Sequence, residues 1–303
     1  RAGSDYMFHD LLADTQTGHN IVATVFVDCH SMYRKDGLPE LRCTGETEFA
    51  NGVAAMSASG LYGDLRACAG IVGHVDLRLG GKAGAVFDAQ IAAGNGRFKG
   101  IRHQTGWDAD PGIRNSRTDP TPELTRDKTF RAGFAELAKR NLTFDAWLYH
   151  PQLAEIADLA DAFPGTPIVL DHVGGPLGYA GYAGRHAEVM ATWKKSMAEL
   201  AKRQNIAVKV GGLGMAMGWF DFYQRPAPPS SQMLADAFKP WVETCIDLFG
   251  AKRCMFESNF PVDKITSGYG VLWNAFKRLA AGASASEKTA LFSGTARRVY
   301  RLD

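Results

Sequence analysis

The chain has 303 residues, 46% of them hydrophobic, 22% charged and 11% aromatic, and its 34 Lys+Arg against 32 Asp+Glu leave a formal net charge of +2. A balance this close to neutral gives no electrostatic footprint for nucleic acid or an anionic membrane. No 18-residue apolar run and no basic-then-apolar leader is present, so a small molecule is the expected partner and the cytoplasm the expected compartment.

The first residues belong to no obvious element. The run IVATVFVDCH (21–30) then reads as a strand, with Asp28 and His30 on one face by the period of two. A helix is expected over 46–59. The next strand, AGIVGHVDLR (69–78), carries Asp76 near its end and precedes a helix over 82–93. RFKGIRH (97–103) ends on Arg102 and His103, and an arginine at a strand tip can clamp a substrate carboxylate with its fork. A long polar loop (105–122) leads to an amphipathic helix over 126–140, with Phe130, Phe134 and Leu137 on one face and Lys139 and Arg140 in the last turn.

LTFDAWLYH (142–150) closes on His150-Pro151, where the proline forces His150 into extended backbone and suits the first turn of a helix over 152–163. PIVLDHVGG (167–175) ends in Asp171-His172 followed by two glycines that turn the chain. If the strand continued through both, His172 at the mouth would send Asp171 to the opposite face. A helix over 185–203 follows, then the strand IAVKVGGLG (206–214) with Lys209. The Pro-rich stretch 225–231 reads as a loop inside the domain. After a helix over 233–249, RCMFESNFPVD (253–263) places Glu257 and Asn259 on one strand face, and helices over 270–281 and 286–298 close the chain.

Strand and helix alternating seven times leave an open doubly wound sheet or a barrel. No GxGxxG or GxxxxGK[ST] follows the first strand, so no nucleotide or organic cofactor is expected. Polar residues gather at the C-terminal ends of many strands, which is how a barrel builds its site. The expected fold is α/β, a (β/α)₈ TIM barrel lacking its first strand, as one domain over residues 1–303. No GxSxG elbow or catalytic cysteine signature is present, and the five cysteines read as reduced thiols. His9, His19, His74 and His186 have weak contexts and read as structural.

GHNIVATVFVDCHSMYR (18–34), GIRH (100–103), FDAWLYHPQL (144–153), LDHVGGPLG (170–178), MFESNFPVDK (255–264) and GTARRVYRL (294–302) together resemble the amidohydrolase 2 branch of the amidohydrolase superfamily. That branch includes sugar lactonases and pyrone-dicarboxylate lactonase. The resemblance implies a barrel whose first strand ends in a metal-binding His-x-His and whose eighth strand carries an aspartate. This sequence has no His-x-His, which implies a strand upstream of Arg1, and Asn259 stands where many relatives carry the aspartate.

The reading that follows is a hydrolase opening a lactone or related cyclic ester of a small, acidic metabolite, with metal-activated or histidine-activated water. His172, His150, His103, Asn259 and Glu257 are the expected catalytic residues, with Asn259 as an oxyanion donor and Glu257 as the replacement carboxylate. Arg102 and Asp28 are expected to bind substrate, and His172 and His150 to hold zinc or manganese if a metal is bound. A metal-dependent decarboxylase of an aromatic acid and a non-catalytic binding barrel are the alternatives, and a homo-oligomer is left open.

Overall fold

The computed structural model describes residues 5–302. In chain order it runs α1 (Phe8–Thr15), β1 (Ala23–Val27), α2 (Thr44–Ala58), β2 (Arg66–Gly73), α3 (Ala83–Gly94), β3 (Phe98–Arg102), α4 (Lys128–Lys139), β4 (Thr143–Ala146), α5 (Leu153–Ala162), β5 (Ile168–Leu170), α6 (His186–Ala201), β6 (Ile206–Lys209), α7 (Ser231–Phe249), β7 (Cys254–Met255) and α8 (Tyr269–Leu279). All strand pairs are parallel and each strand pairs with the next, so β1 and β7 are the two edges of a seven-stranded sheet. The sheet curls on itself. Val72 of β2 shares one buried cluster with Val169 of β5, Ala207 of β6 and Met255 of β7, a contact that a flat sheet of this order would not make.

Alternation along the strands explains both faces. Ile71, Ile101, Phe144, Leu170, Val208 and Cys254 point outward into the main core, where α4 brings Phe130 and Phe134 against Phe144. Val72, Asp145, Val169, Asp171, Ala207, Lys209 and Met255 point inward by the period of two. Parallel strands buried on both faces read as continuous apolar runs, which is why the sequence shows them.

Two expectations are corrected. Residues 8–15 are helical, with Phe8, Leu12 and Thr15 buried at i, i+4 and i+7. The helix is short and opens on Met7 instead of a Ser, Thr, Asp or Asn cap, so its start signal is missing. It sits in the helix ring next to α8, held by a 2.9 Å Lys264–Asp14 ion pair and by the His19 ring on the Gly270 carbonyl. The segment 286–298 is not one helix: α9 (Ala285–Thr289) passes through a π-helical stretch over Ala290–Gly294 into α10 (Thr295–Tyr300). That offset turns Val299 and Tyr300 into the barrel interior, where they close one end. Among the described residues, no helix is long and apolar enough to cross a membrane.

Candidate active site

The ladders of β5 and β7 stop at Leu170 and Met255, earlier than their apolar runs suggest, and the residues beyond them form the mouth. Asp171, the residue directly after β5, still faces inward. His172 and Val173 then adopt φ of 52° and 49°, a left-handed turn that brings His172 to the mouth as well. The Val173 carbonyl accepts the Trp193 indole N–H at 2.7 Å, which fixes the turn. His172 meets Glu257 at 2.5 Å between Nδ1 and Oε1, and Trp147 stands edge-on to its ring. A Cβ on Gly212, at φ 68°, would overlap the His172 ring, so the glycines after β6 make room for the pair. Burial alone would depress the His172 pKa, but the charge and hydrogen bond of Glu257, with Asp171, outweigh it and hold the imidazole above its usual value.

Below this pair lies a buried charged layer. Lys209 Nζ sits 2.7 Å from both Asp145 Oδ2 and Asp171 Oδ1, and Tyr300 donates its hydroxyl to Asp145 Oδ2 at 2.7 Å. Arg102 reaches Asp171 at 3.2 Å and donates to the Asp28 carbonyl. Burial pushes Asp145 up to about 6 against the attraction of Lys209. At Asp171 burial is outweighed by Lys209, His172 and Arg102, and the carboxyl is held well below its usual range. Both terminal nitrogens of Arg102 are thus engaged by the chain's own acceptors, while its Nε has no hydrogen-bond partner among the described residues, so the side chain braces the mouth from β1 to β5 and its outer fork is not free to clamp a substrate.

Asp28 is fully buried, and it is not presented to the mouth as a free substrate-binding carboxylate. Its side chain meets those of His30 and His74, with one ligand-type atom from each lying within 4.8 Å of the others. His74 Nδ1 faces the Arg102 carbonyl at 3.0 Å; donating there leaves its Nε2 lone pair available. His30 Nε2 is buried and has no hydrogen-bond partner among the described residues. Behind them Glu46, from the first turn of α2, accepts the Cys29 and Ser31 backbone N–H groups at 3.0 and 2.9 Å and so shapes the loop carrying His30. Two imidazoles and a carboxylate with an orphaned buried nitrogen are a donor set suited to a divalent cation.

The other expected residues lie elsewhere. His103 faces away from the barrel interior: its Nδ1 accepts the Leu77 N–H at 3.2 Å, and its ring packs on Phe130 and His74. Burial, helped by His74, depresses its pKa to about 3. His150 follows β4 by four residues, in a turn, where it accepts the Leu177 N–H and packs on Tyr182; burial depresses it to about 4. The metal-type cluster found among the described residues consists of Asp28, His30 and His74 and contains neither His150 nor His172. Asn259 has φ 49° and has left the strand, so it does not share a strand face with Glu257.

The Asn259 amide donates to Asp263 Oδ1 at 2.8 Å, which makes it a support for Asp263 in place of an oxyanion donor. Burial pushes the Asp263 carboxyl up to about 7, although the Gly214 N–H also bonds it. A raised acid contributes stability that is present at low pH and lost as pH rises through its folded value. Asp263→Asn is therefore expected to lose less melting temperature than the parent between pH 5.5 and 8.5, as read by thermal unfolding at both values.

Sequence reasoning named Lys209 only as a strand-end polar residue, read His74 as structural and passed over Asp145. His74 follows β2 directly and could have been flagged as a strand-end polar residue. Asp145 lies inside an apolar strand, and only its inward parity relative to Phe144 singles it out.

Comparison with known proteins identifies the family. The chain is 35% identical to the uncharacterized protein y4mH of Sinorhizobium fredii, over 98% of this chain and 86% of that one. It is 28% identical to an L-fucono-1,5-lactonase of Burkholderia multivorans, over 77% and 72% of the two chains. An amidohydrolase from Burkholderia multivorans, solved with bound zinc, superposes with a TM-score of 0.67 at 25% identity, covering 85% of this chain and 79% of that one. The sequence model described as Amidohydrolase matches residues 49–302, which carry every mouth residue described above except Asp28, His30 and Glu46. With the family model matching residues 49–302 and the curled parallel sheet superposing on a solved amidohydrolase, the chain belongs to this amidohydrolase family and is a hydrolase.

Proposed function

We propose that the chain opens a small lactone, with His172 as the general base on water and Glu257 as the group that orients it. The observation carrying this reading is the 2.5 Å Nδ1–Oε1 contact at the mouth, which leaves Nε2 as the free nitrogen. Water gives its proton to Nε2 as its oxygen bonds to the lactone carbonyl carbon. The tetrahedral oxyanion then collapses, the ring C–O bond breaks, and the proton passes to the departing ring oxygen to give the hydroxy acid. Similarity to L-fucono-1,5-lactonases supports sugar lactones as the substrate class. With Arg102 engaged inside the protein, an acidic substrate loses the residue that argued for it.

The test is hydrolysis of a panel of aldono-1,4- and aldono-1,5-lactones, followed by acid release. Saturable turnover of at least one sugar lactone is expected. Carbon dioxide release from an aromatic acid without lactone turnover, or no turnover at all, overturns the reading.

Asp28, His30 and His74 would hold the divalent cation, zinc or manganese, that accompanies this chemistry. Bound there, it would supply Lewis acidity toward an oxygen of the substrate or of water. Purified protein loaded with zinc and desalted is expected to retain about one ion per chain. Loss of even a supporting group around a metal typically costs 10- to 100-fold in affinity, so His74→Ala should weaken zinc binding by more than about tenfold. Equal retention by parent and variant in elemental analysis would place the ion elsewhere.

A further inference from the structure

The end of the barrel opposite the His172 mouth carries a groove of about 520 Å³, bounded by the starts of β1, β2 and β3, by α2 and by α10. Its charge is one-sided: Arg66, Arg97, Lys99, Arg297 and Arg301 line it against a single acid, Asp64. Arg66 donates to the Asp64 and Leu65 carbonyls, Arg97 to the Asn51 side-chain oxygen at 2.8 Å, and Arg301 to the Val299 and Lys99 carbonyls. These acceptors are neutral. They fix the guanidinium groups without cancelling their charge, and among the described residues none of the five cations pairs with a carboxylate. Several arginines elsewhere on the surface do have a carboxylate partner: Arg34 pairs with Glu48, Arg140 with Asp88 and Glu136, Arg185 with Glu188 and Arg203 with Asp161.

A chain of net charge +2 thus gathers around one concavity five cations that have no carboxylate partner among the described residues. We propose that this groove binds a small polyanion bearing two or more phosphate or carboxylate groups. Guanidinium forks recognise both groups by paired hydrogen bonds, and the groove falls within the roughly 300–1,000 Å³ of small-molecule sites. Between the cations the lining is alanine, glycine, valine and Leu302, with no aromatic ring on which a nucleobase could stack. The recognised feature is therefore the cluster of anionic groups. Arg297 and Arg301 flank Val299 and Tyr300, which close the barrel interior, so the bound anion ties α10 to the strands it seals.

The experiment titrates tripolyphosphate and citrate into the protein by calorimetry at low salt, with thermal unfolding measured in parallel. The comparison is a K99Q/R297Q double variant, because neither side chain makes a hydrogen bond among the described residues and the change removes charge without breaking a contact. Saturable one-site binding is expected for at least one anion, with a raised unfolding midpoint. The double variant should bind at least tenfold more weakly while its ligand-free midpoint stays at or above that of the parent. His172→Asn should bind as the parent does, which separates the groove from the catalytic mouth. Tighter tripolyphosphate marks a phosphate ligand and tighter citrate a polycarboxylate. Absence of saturable binding by either anion, or equal binding by parent and double variant, overturns the proposal.

Discussion

His172→Asn is expected to lower kcat/KM for lactone opening by about 10²- to 10⁴-fold, the usual worth of a positioned general base. Asparagine is the informative replacement because it tolerates the left-handed backbone at this position (φ 52°), so the turn after β5 is retained. Glu257→Gln should cost less, since the amide can still accept a hydrogen bond from Nδ1. Its diagnostic effect is on pH. In the parent, Glu257 holds the imidazole pKa up, so the acid limb of kcat/KM should lie above the ordinary histidine value of about 6.5. Removing the negative charge makes the imidazolium easier to deprotonate, and the acid limb moves to lower pH. A purely structural Glu257 would lower the plateau without moving the limb. A rate in His172→Asn within threefold of the parent would remove His172 from the chemistry.

The same pair contributes to stability with a defined sign. A histidine whose folded pKa is raised stabilises fully below its unfolded value and loses that contribution as pH climbs through the folded value. Activity and the stability of the pair therefore respond oppositely as pH rises: the base becomes available as its ion pair with Glu257 is discharged.

The strand-helix alternation was legible because parallel strands covered on both faces are apolar throughout, and each of the seven runs overlaps a strand. Their ends were not legible, because the apolar pattern continues past the ladder: Val173 is fully buried yet lies in a turn. Period-two reasoning fails at that point. It separated Asp171 from His172, which one left-handed turn unites, and joined Glu257 to Asn259, which another separates. His103 and His150 look equally functional as strand-end histidines, but burial without a charged partner in hydrogen-bond contact makes both neutral packing groups. What distinguishes His172 is Glu257, 85 residues away, and what distinguishes His74 is a carbonyl on the neighbouring strand. Neither partner is visible in local spacing.

Lys209→Met should produce the largest loss of stability, about 3–5 kcal/mol, because it removes one member of a buried ionic network and leaves the others in place. Methionine keeps the length of the stem, so the loss comes from charge and not from a cavity. Two carboxylates, Asp145 and Asp171, lose their shared ammonium at once, and Arg102, which reaches Asp171, cannot replace it at Asp145. Burial is then less opposed, and both folded-state pKa values should rise from those of the parent. Raised acids stabilise at low pH and lose that stability as pH increases, so the deficit of the variant should be smallest near pH 5 and widest above pH 8. Adding Asp145→Asn to Lys209→Met should recover a substantial part of the loss, since the uncompensated charge is removed together with its partner. Urea unfolding of the parent, both single variants and the double variant at two pH values measures each term. A deficit below 1 kcal/mol at pH 8, or one that widens toward pH 5, would mean that the layer is not held together by Lys209.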